Sequence, residues 1–223
     1  IKKASELIDM RKHRGAHARM GATDVCPFVP ISEVSMDDCV VYSKQLAKEV
    51  EMKLKIPVYL YEFSATSINR VNLAEVRSGE VEGMAEKMKS AKWKPDYGPV
   101  NPHKTAGVTA IGARNYLIAY NINLNTKDKN IANDISMDIR EKGRNKRNKE
   151  GKFIRSKNGN TIKVPGTLKS CKAVGWYIEE YGIAQISYNL TNISITSMHE
   201  AFDETLKAAD KRGIRVTGSE LVG

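Results

Sequence analysis

The residues most able to do chemistry cluster near the start of the chain. Two of its four histidines, His13 and His17, stand four apart in the most polar stretch, which runs from Asp9 through Arg11, Lys12, Arg14 and Arg19 to Gly21. Two histidines at that spacing on a helix can ligate a metal, but Gly15 weakens such a helix and the glutamate of a HExxH motif is missing. An exposed polar loop with unremarkable histidines is the plain alternative. The third reading is a general acid/base, because an imidazole titrating near neutrality can take a proton and return it. Arg11, Arg14 and Arg19 would then grip substrate carboxylates as planar forks. By like-charge repulsion they would also depress the histidine pKa, which suits a base that must be neutral at rest.

A second candidate is the loop Gly98-Pro99-Val100-Asn101-Pro102-His103-Lys104-Thr105-Ala106-Gly107. Its glycines let backbone approach a flat ligand closely; an ordinary connection built of turn residues is the competing reading. Trp93 and Tyr97 beside it read as packing. The chain has no GxGxxG, no P-loop, no GxSxG and no CxxC, so nucleotide-binding and serine-hydrolase chemistry have no support. Three cysteines, at 26, 39 and 171, match neither a disulfide framework nor a zinc module, and point to a reducing, cytoplasmic setting. The Asn-x-Thr/Ser triplets at Asn189 and Asn192 would matter only in a secreted protein, and no signal peptide is visible.

The length of 223 residues suits one large domain or two small ones, and 41% hydrophobic with 28% charged residues is the balance of an ordinary globular protein. No stretch approaches the roughly 20 apolar residues of a membrane span. The net charge of +10 is concentrated: Arg140 to Lys172 holds twelve basic residues and two acidic ones, and the remainder is balanced at 24 of each sign. Such a segment is either a solvated loop and hairpin or an attractor for a polyanion, nucleic acid or a small polycarboxylate. Phe153 is the lone aromatic within its densest part, whereas single-strand binders interleave aromatics with charge.

The elements that must position these groups follow from pattern and punctuation. Thr23 to Ile31 reads as a short edge strand interrupted by Pro27 and Pro30. Ser35 to Lys55 is an amphipathic helix capped by Ser35 and stopped by Pro57. Val58 to Phe63 is a strand, followed by short helices at Leu73 to Arg77 and Val81 to Lys89 and a loop from Lys94 to Gly107. Asn115 to Leu124 is a strand and Asn130 to Lys142 a helix closed by Gly143. Lys152 to Pro165 reads as a hairpin around Asn158-Gly159. Cys171 to Glu179 and Ile183 to Leu190 are paired strands, Ser197 to Lys211 a helix and Ile214 to Thr217 a strand. The C-terminal half therefore follows the ferredoxin-like β-α-β-β-α-β order with a basic insertion, and two α/β subdomains join near residues 112 to 116. No internal repeat relates the halves. The chain starts with Ile1 inside what reads as a helix already under way, and is expected to be an internal piece of a longer domain.

The stretch IDMRKHRGAHARMGATDVCPFVP (8–30) resembles the signature of the glutamate formimidoyltransferase family. The resemblance continues through Ile56 to Phe63, Trp93 to Gly107, ARNYLIAYNINL (113–124), KAVGWYIEEYGIAQISYNLT (172–191) and RVTGSELVG (215–223). The lysine-rich stretch from Arg144 to Val164 resembles the longer connection of bacterial members. The resemblance implies two ferredoxin-like-related α/β subdomains, 1–116 and 117–223, with the basic insertion at 143–165. Their mixed sheets would face each other, helices outside, with folate between. It implies transfer of the formimidoyl group of N-formimidoyl-L-glutamate to nitrogen-5 of tetrahydrofolate in histidine degradation. His17 would be catalytic and His13 less critical. Residues 98–107 would be the folate loop, with Asn101, His103, Lys104 and Thr105 replacing the family's more aromatic residues. Tetrahydrofolate would be the co-substrate, no metal would be needed, and the assembly would be a cytoplasmic homodimer without nucleic-acid or membrane partners. The Arg140 to Lys172 cluster would supply a field for folate polyglutamate tails. Two alternatives are a 5-formyltetrahydrofolate:glutamate formyltransferase and a basic RNA-binding ferredoxin-like module.

Overall fold

The computed structural model describes residues 1–15 and 18–222, and the chain divides into two units after Asn115. The first contains helix α1 (Lys2–Leu7), strand β1 (Val25–Phe28), helix α2 (Met36–Leu54) and strand β2 (Val58–Glu62). Short helices α3 (Ile68–Val71), α4 (Leu73–Val76) and α5 (Glu80–Lys87) follow, then strand β3 (Thr109–Ala113). The strands form a parallel sheet in the order β1-β3-β2, with Val25 opposite Ala110 and Val58 opposite Thr109. Pro27 is tolerated because β1 is an edge strand.

The path from β1 to β2 steps over the position of β3, and the path from β2 to β3 steps back. Right-handed crossovers in opposite directions place α2 and the α3–α5 group on opposite faces of the sheet. One face carries Val58, Leu60 and Ile111 beneath Ala47 and Val50 of α2. The other carries Tyr59, Tyr61 and Ala110 beneath Val76, Met84 and Met88. α2 starts where Ser35 predicts: the Ser35 hydroxyl accepts from the Asp38 amide at 3.1 Å and the Asp38 carboxylate accepts from the Ser35 amide at 2.9 Å.

The second unit holds strand β4 (Ile118–Leu124), helix α6 (Lys129–Ile139), short strands β5 (Arg144–Asn145) and β6 (Lys163–Val164), strands β7 (Cys171–Ile178) and β8 (Ile183–Leu190), helix α7 (Met198–Asp210) and strand β9 (Val216–Val222). Its antiparallel sheet runs β7-β8-β4-β9, the ferredoxin-like strand order. Ile122, Leu124, Ile135, Ile186, Tyr188 and Ala209 lie in the core that α6 and α7 close over this sheet. The chain is thus an α/β (α+β) protein with one parallel and one antiparallel sheet.

The basic insertion departs from the single hairpin that Asn158-Gly159 predicts. β5 pairs with β6, and two further bridges join Arg147 to Phe153 and Arg155 to Thr161. Three residues spaced eight apart close a ring of backbone bonds: Lys146 donates to Ile162 at 2.8 Å, Ile162 to Ile154 at 2.9 Å and Ile154 to Lys146 at 2.9 Å. The cause is a short repeat, Arg147-Asn148-Lys149-Glu150-Gly151 and Arg155-Ser156-Lys157-Asn158-Gly159. In each copy the arginine side chain donates to the glycine carbonyl four residues on, at 2.6 and 2.9 Å. Both glycines take positive φ, 80° and 77°, that a larger residue resists.

Candidate active site

Both ends of the histidine-bearing segment are fastened to the end of the Gly98–Gly107 loop. Met10 donates its amide to the Thr105 carbonyl at 2.8 Å, Ala22 donates to Ala106 at 2.9 Å, and Val108 donates to Met20 at 2.9 Å. Gly21 and Gly107 face each other across an isolated bridge. The approach demands glycine on both sides: a Cβ on Gly21 would sit 1.9 Å from the Val108 oxygen, and one on Gly107 would sit 2.4 Å from the Met20 oxygen. Gly107 also has φ +69°. The two candidate segments are therefore neighbours. They lead into β1 and β3, so they gather at the amino edge of the parallel sheet, opposite the carboxyl edge where open α/β sheets usually bind ligands. His17, with Ala16, lies outside the described residues.

Acids that the sequence reading passed over hold the residues flanking position 17. Arg77 pairs with Asp24 and donates to the Ala18 carbonyl; Asp24 in turn accepts the Met20 amide at 2.7 Å. The Arg19 guanidinium meets Glu80 at 2.5 Å, Glu82 at 2.7 and 3.1 Å, and the His13 carbonyl at 3.1 Å. Only 11% of the Arg19 side chain is exposed, so its charge is spent on these partners. Arg11 forks onto Asp9, and this contact pulls the Asp9 pKa down to about 2. Arg14 is different: its side chain is 74% exposed and lies 4.0 Å from Glu82. The positive charge of this arginine set is thus balanced by Asp9, Glu80 and Glu82, and Arg14 keeps the most open guanidinium of the three. A hollow of about 400 Å³ lies here, lined by Arg14, Gly15, Arg19, Gly79, Glu80 and Glu82.

The Gly98–Gly107 loop is fixed at both ends. At its close, His103 and Gly107 exchange backbone bonds of 2.9 and 3.0 Å, and the His103 Nδ1 accepts the Ala106 amide at 3.1 Å. That ring therefore has a turn-holding task. Pro99, Val100, Asn101 and Lys104 are exposed, whereas Ala106 and Gly107 are buried; Gly98, Pro102 and Thr105 are half-buried or nearly so. Before the loop, Asp96 accepts the Leu60 amide at 2.8 Å and pairs with Arg70. That ion pair is buried, with 9% and 7% of the two side chains exposed. Trp93 and Tyr97 pack against the two cores of the unit, as their plainer reading has it.

The signal for the missed acids was present. Arginines that leave water need carboxylate partners, and Glu80 and Glu82 follow Gly79 at the start of a helix. Elsewhere, Cys39 and Cys171 are buried, and burial pushes the Cys171 thiol up to about 12. Among the described residues no three His, Cys, Asp or Glu side chains gather as metal ligands, and no helix is long and apolar enough to cross a membrane.

Comparison with known proteins covers both units. Residues 1–114 match the formiminotransferase domain, N-terminal subdomain, and residues 119–223 match the formiminotransferase domain. The chain is 45% identical to glutamate formimidoyltransferase of Streptococcus pyogenes serotype M1, over all of this chain and 67% of that protein. It is 43% identical to the formimidoyltransferase-cyclodeaminase of Dictyostelium discoideum and 43% identical to that of Rattus norvegicus, in each case spanning 38% of the longer protein. With two adjoining matches that follow its two structural units, the chain belongs to the formiminotransferase family.

Proposed function

We propose that the protein moves the formimidoyl group of N-formimidoyl-L-glutamate to nitrogen-5 of tetrahydrofolate, giving 5-formimidoyltetrahydrofolate and L-glutamate in histidine degradation. Nitrogen-5 attacks the amidine carbon, and the carbon–nitrogen π pair moves onto nitrogen to give a tetrahedral adduct. His17 takes the proton from the incoming nitrogen and delivers it to the glutamate nitrogen, whose bond to carbon then breaks. The observation that carries this reading is the double fastening of the segment around position 17 to the loop that ends at Gly107. It brings the two candidate segments to one edge of one sheet, which supports a proton carrier and a flat-ligand loop acting together.

Arg14, with Arg11 in support, is the residue set to receive a substrate carboxylate, and Arg19 holds the segment in place. Gly98 through Thr105 receive the folate. The exposed Lys149 and Lys157 of the basic repeat supply a field for folate polyglutamates. No metal enters this scheme, since the protonated amidine is already electrophilic. The setting is cytoplasmic and the assembly a homodimer, to be read by sedimentation. The transfer itself is tested by incubating the full-length protein with both substrates and following glutamate release. Stoichiometric 5-formimidoyltetrahydrofolate supports the reading. Absence of product, together with no thermal shift from tetrahydrofolate or folinate, contradicts it.

A further inference from the structure

Glu80 is one of five non-glycine residues with positive φ among the described residues, and of these it is the one that pairs with Arg19 on the wall of the hollow. It follows Gly79 (φ +89°) and itself takes φ +52°, a left-handed conformation that disfavours any residue with a Cβ. Its amide donates to the Arg77 carbonyl at 3.0 Å, and the next amide, Val81, donates to the Arg19 carbonyl at 2.9 Å. The strained backbone therefore holds the Glu80 side chain against the segment that precedes β1. One carboxylate oxygen, Oε2, takes the Arg19 guanidinium at 2.5 Å. Among the described residues the other oxygen has no partner, and the side chain is 43% exposed on the wall of the hollow. Glu82 differs, because both of its oxygens are taken by Arg19. Arg19 is 9% exposed, and among the described residues its Nε lacks a hydrogen-bond partner. A buried, partly unsatisfied guanidinium and a half-free carboxylate thus share one hollow with the open Arg14.

A glycine would occupy position 80 without strain. A glutamate held there at a conformational cost points to use of its carboxylate, since strained residues persist where the surroundings over-determine them and gather at functional sites. That oxygen, open among the described residues, accepts hydrogen bonds and favours positive charge. Resting on the transfer reading above, we propose that Glu80 sets donor specificity: it takes an N–H group of a cationic formimidoyl donor and gives no such advantage to its neutral formyl analogue. An amidinium presents N–H donors and a delocalised positive charge, and one of those donors meets the oxygen that Arg19 leaves open. A formamide has the same heavy-atom shape with a carbonyl oxygen in place of one nitrogen. That oxygen meets the carboxylate as acceptor against acceptor, which is the asymmetry that separates isosteres most strongly.

The test compares N-formimidoyl-L-glutamate with N-formyl-L-glutamate in the full-length protein and in Glu80→Gln and Glu80→Gly. Calorimetric titration reads binding without turnover, and kcat/KM is measured wherever transfer occurs. Wild type should favour the formimidoyl compound, and Glu80→Gln should cut that preference about tenfold, the worth of one charge-assisted hydrogen bond. Glu80→Gly guards against misfolding: it removes the carboxylate but relieves the backbone, and Glu82 still holds Arg19, so its melting temperature should fall no further than that of Glu80→Gln while the preference falls alike. A merely structural Glu80 would lower both donors together. A preference unchanged within twofold in both variants overturns the proposal and leaves the transferase reading standing. Wild type that binds the formimidoyl compound with an intact, Glu80-dependent preference yet never transfers overturns the transferase reading and leaves the recognition role standing. Equal binding of the two compounds by wild type overturns the specificity proposal outright.

Discussion

The Met10 amide donates to the Thr105 carbonyl at 2.8 Å, and this bond ties the histidine-bearing segment to the loop ending at Gly107. With the Ala22–Ala106 and Val108–Met20 bonds it makes the two loops one mechanical unit. Its weak point is the glycine pair. Gly107→Ala adds a Cβ 2.4 Å from the Met20 oxygen at a residue of positive φ, and should cost about 3 kcal/mol. Gly159→Ala, also at positive φ but with nothing near its Cβ, should cost only about 1–2 kcal/mol. Urea unfolding of both variants checks the ranking, and equal losses would show that the loops do not meet closely.

The buried Arg70–Asp96 pair anchors the other end of the same loop through the Leu60 amide. Removing one partner leaves a charge stranded away from water. Arg70→Met or Asp96→Asn should therefore each destabilise by about 3–5 kcal/mol. The double variant should lose less than the sum of the singles, as a double-mutant cycle in denaturant would register. Strict additivity would mean that the two side chains act independently.

The second unit carries an acid-sensitive clasp. Asp134 meets Arg144 at 2.8 Å and Arg212 at 2.5 Å, and Asp138 meets both arginines at 2.5 Å. Burial acts to raise the Asp134 pKa, but the Arg212 and Arg144 contacts outweigh it and hold the carboxyl below its ordinary value. A carboxyl depressed in the folded state stabilises above its unfolded pKa, near 4, and that contribution is lost as pH falls through the folded value. The stability gap between wild type and Asp134→Asn should be full at neutral pH and shrink below about pH 4. It should also shrink with salt, because the side chains are partly exposed. A gap constant from pH 7 to pH 3 would count against the clasp.

Much of this architecture was legible because local signals were strong. Ser35 with Asp38 and Ser197 with Glu200 mark two helix starts, and both capping boxes form. The C-terminal β-α-β-β-α-β order gave the sheet. What escaped was β3, the central strand of the parallel sheet. Thr109 to Ala113 is short and built of small residues, since the Tyr61 ring lies over Gly112, so it carries no alternation to read. Helix α6 ends at Ile139, earlier than Gly143 suggests, because Gly166 packs against the Ile139 and Arg140 carbonyls. At the site, the motif singled out two segments, 9–21 and 98–107, which the fold joins by backbone hydrogen bonds. The acids on Arg19 lie some sixty residues away in sequence, at Glu80 and Glu82; the acidic helix start after Gly79 is visible, but which arginine it meets is set by the fold.

Turnover of formimidoylglutamate with tetrahydrofolate by wild type and His17→Ala, beside folinate binding by the same two proteins, bears most directly on the chemistry. We expect at least about a 100-fold loss in kcat with folate affinity largely kept, the signature of a missing proton carrier. Unchanged turnover in the alanine variant would remove the imidazole from the reaction.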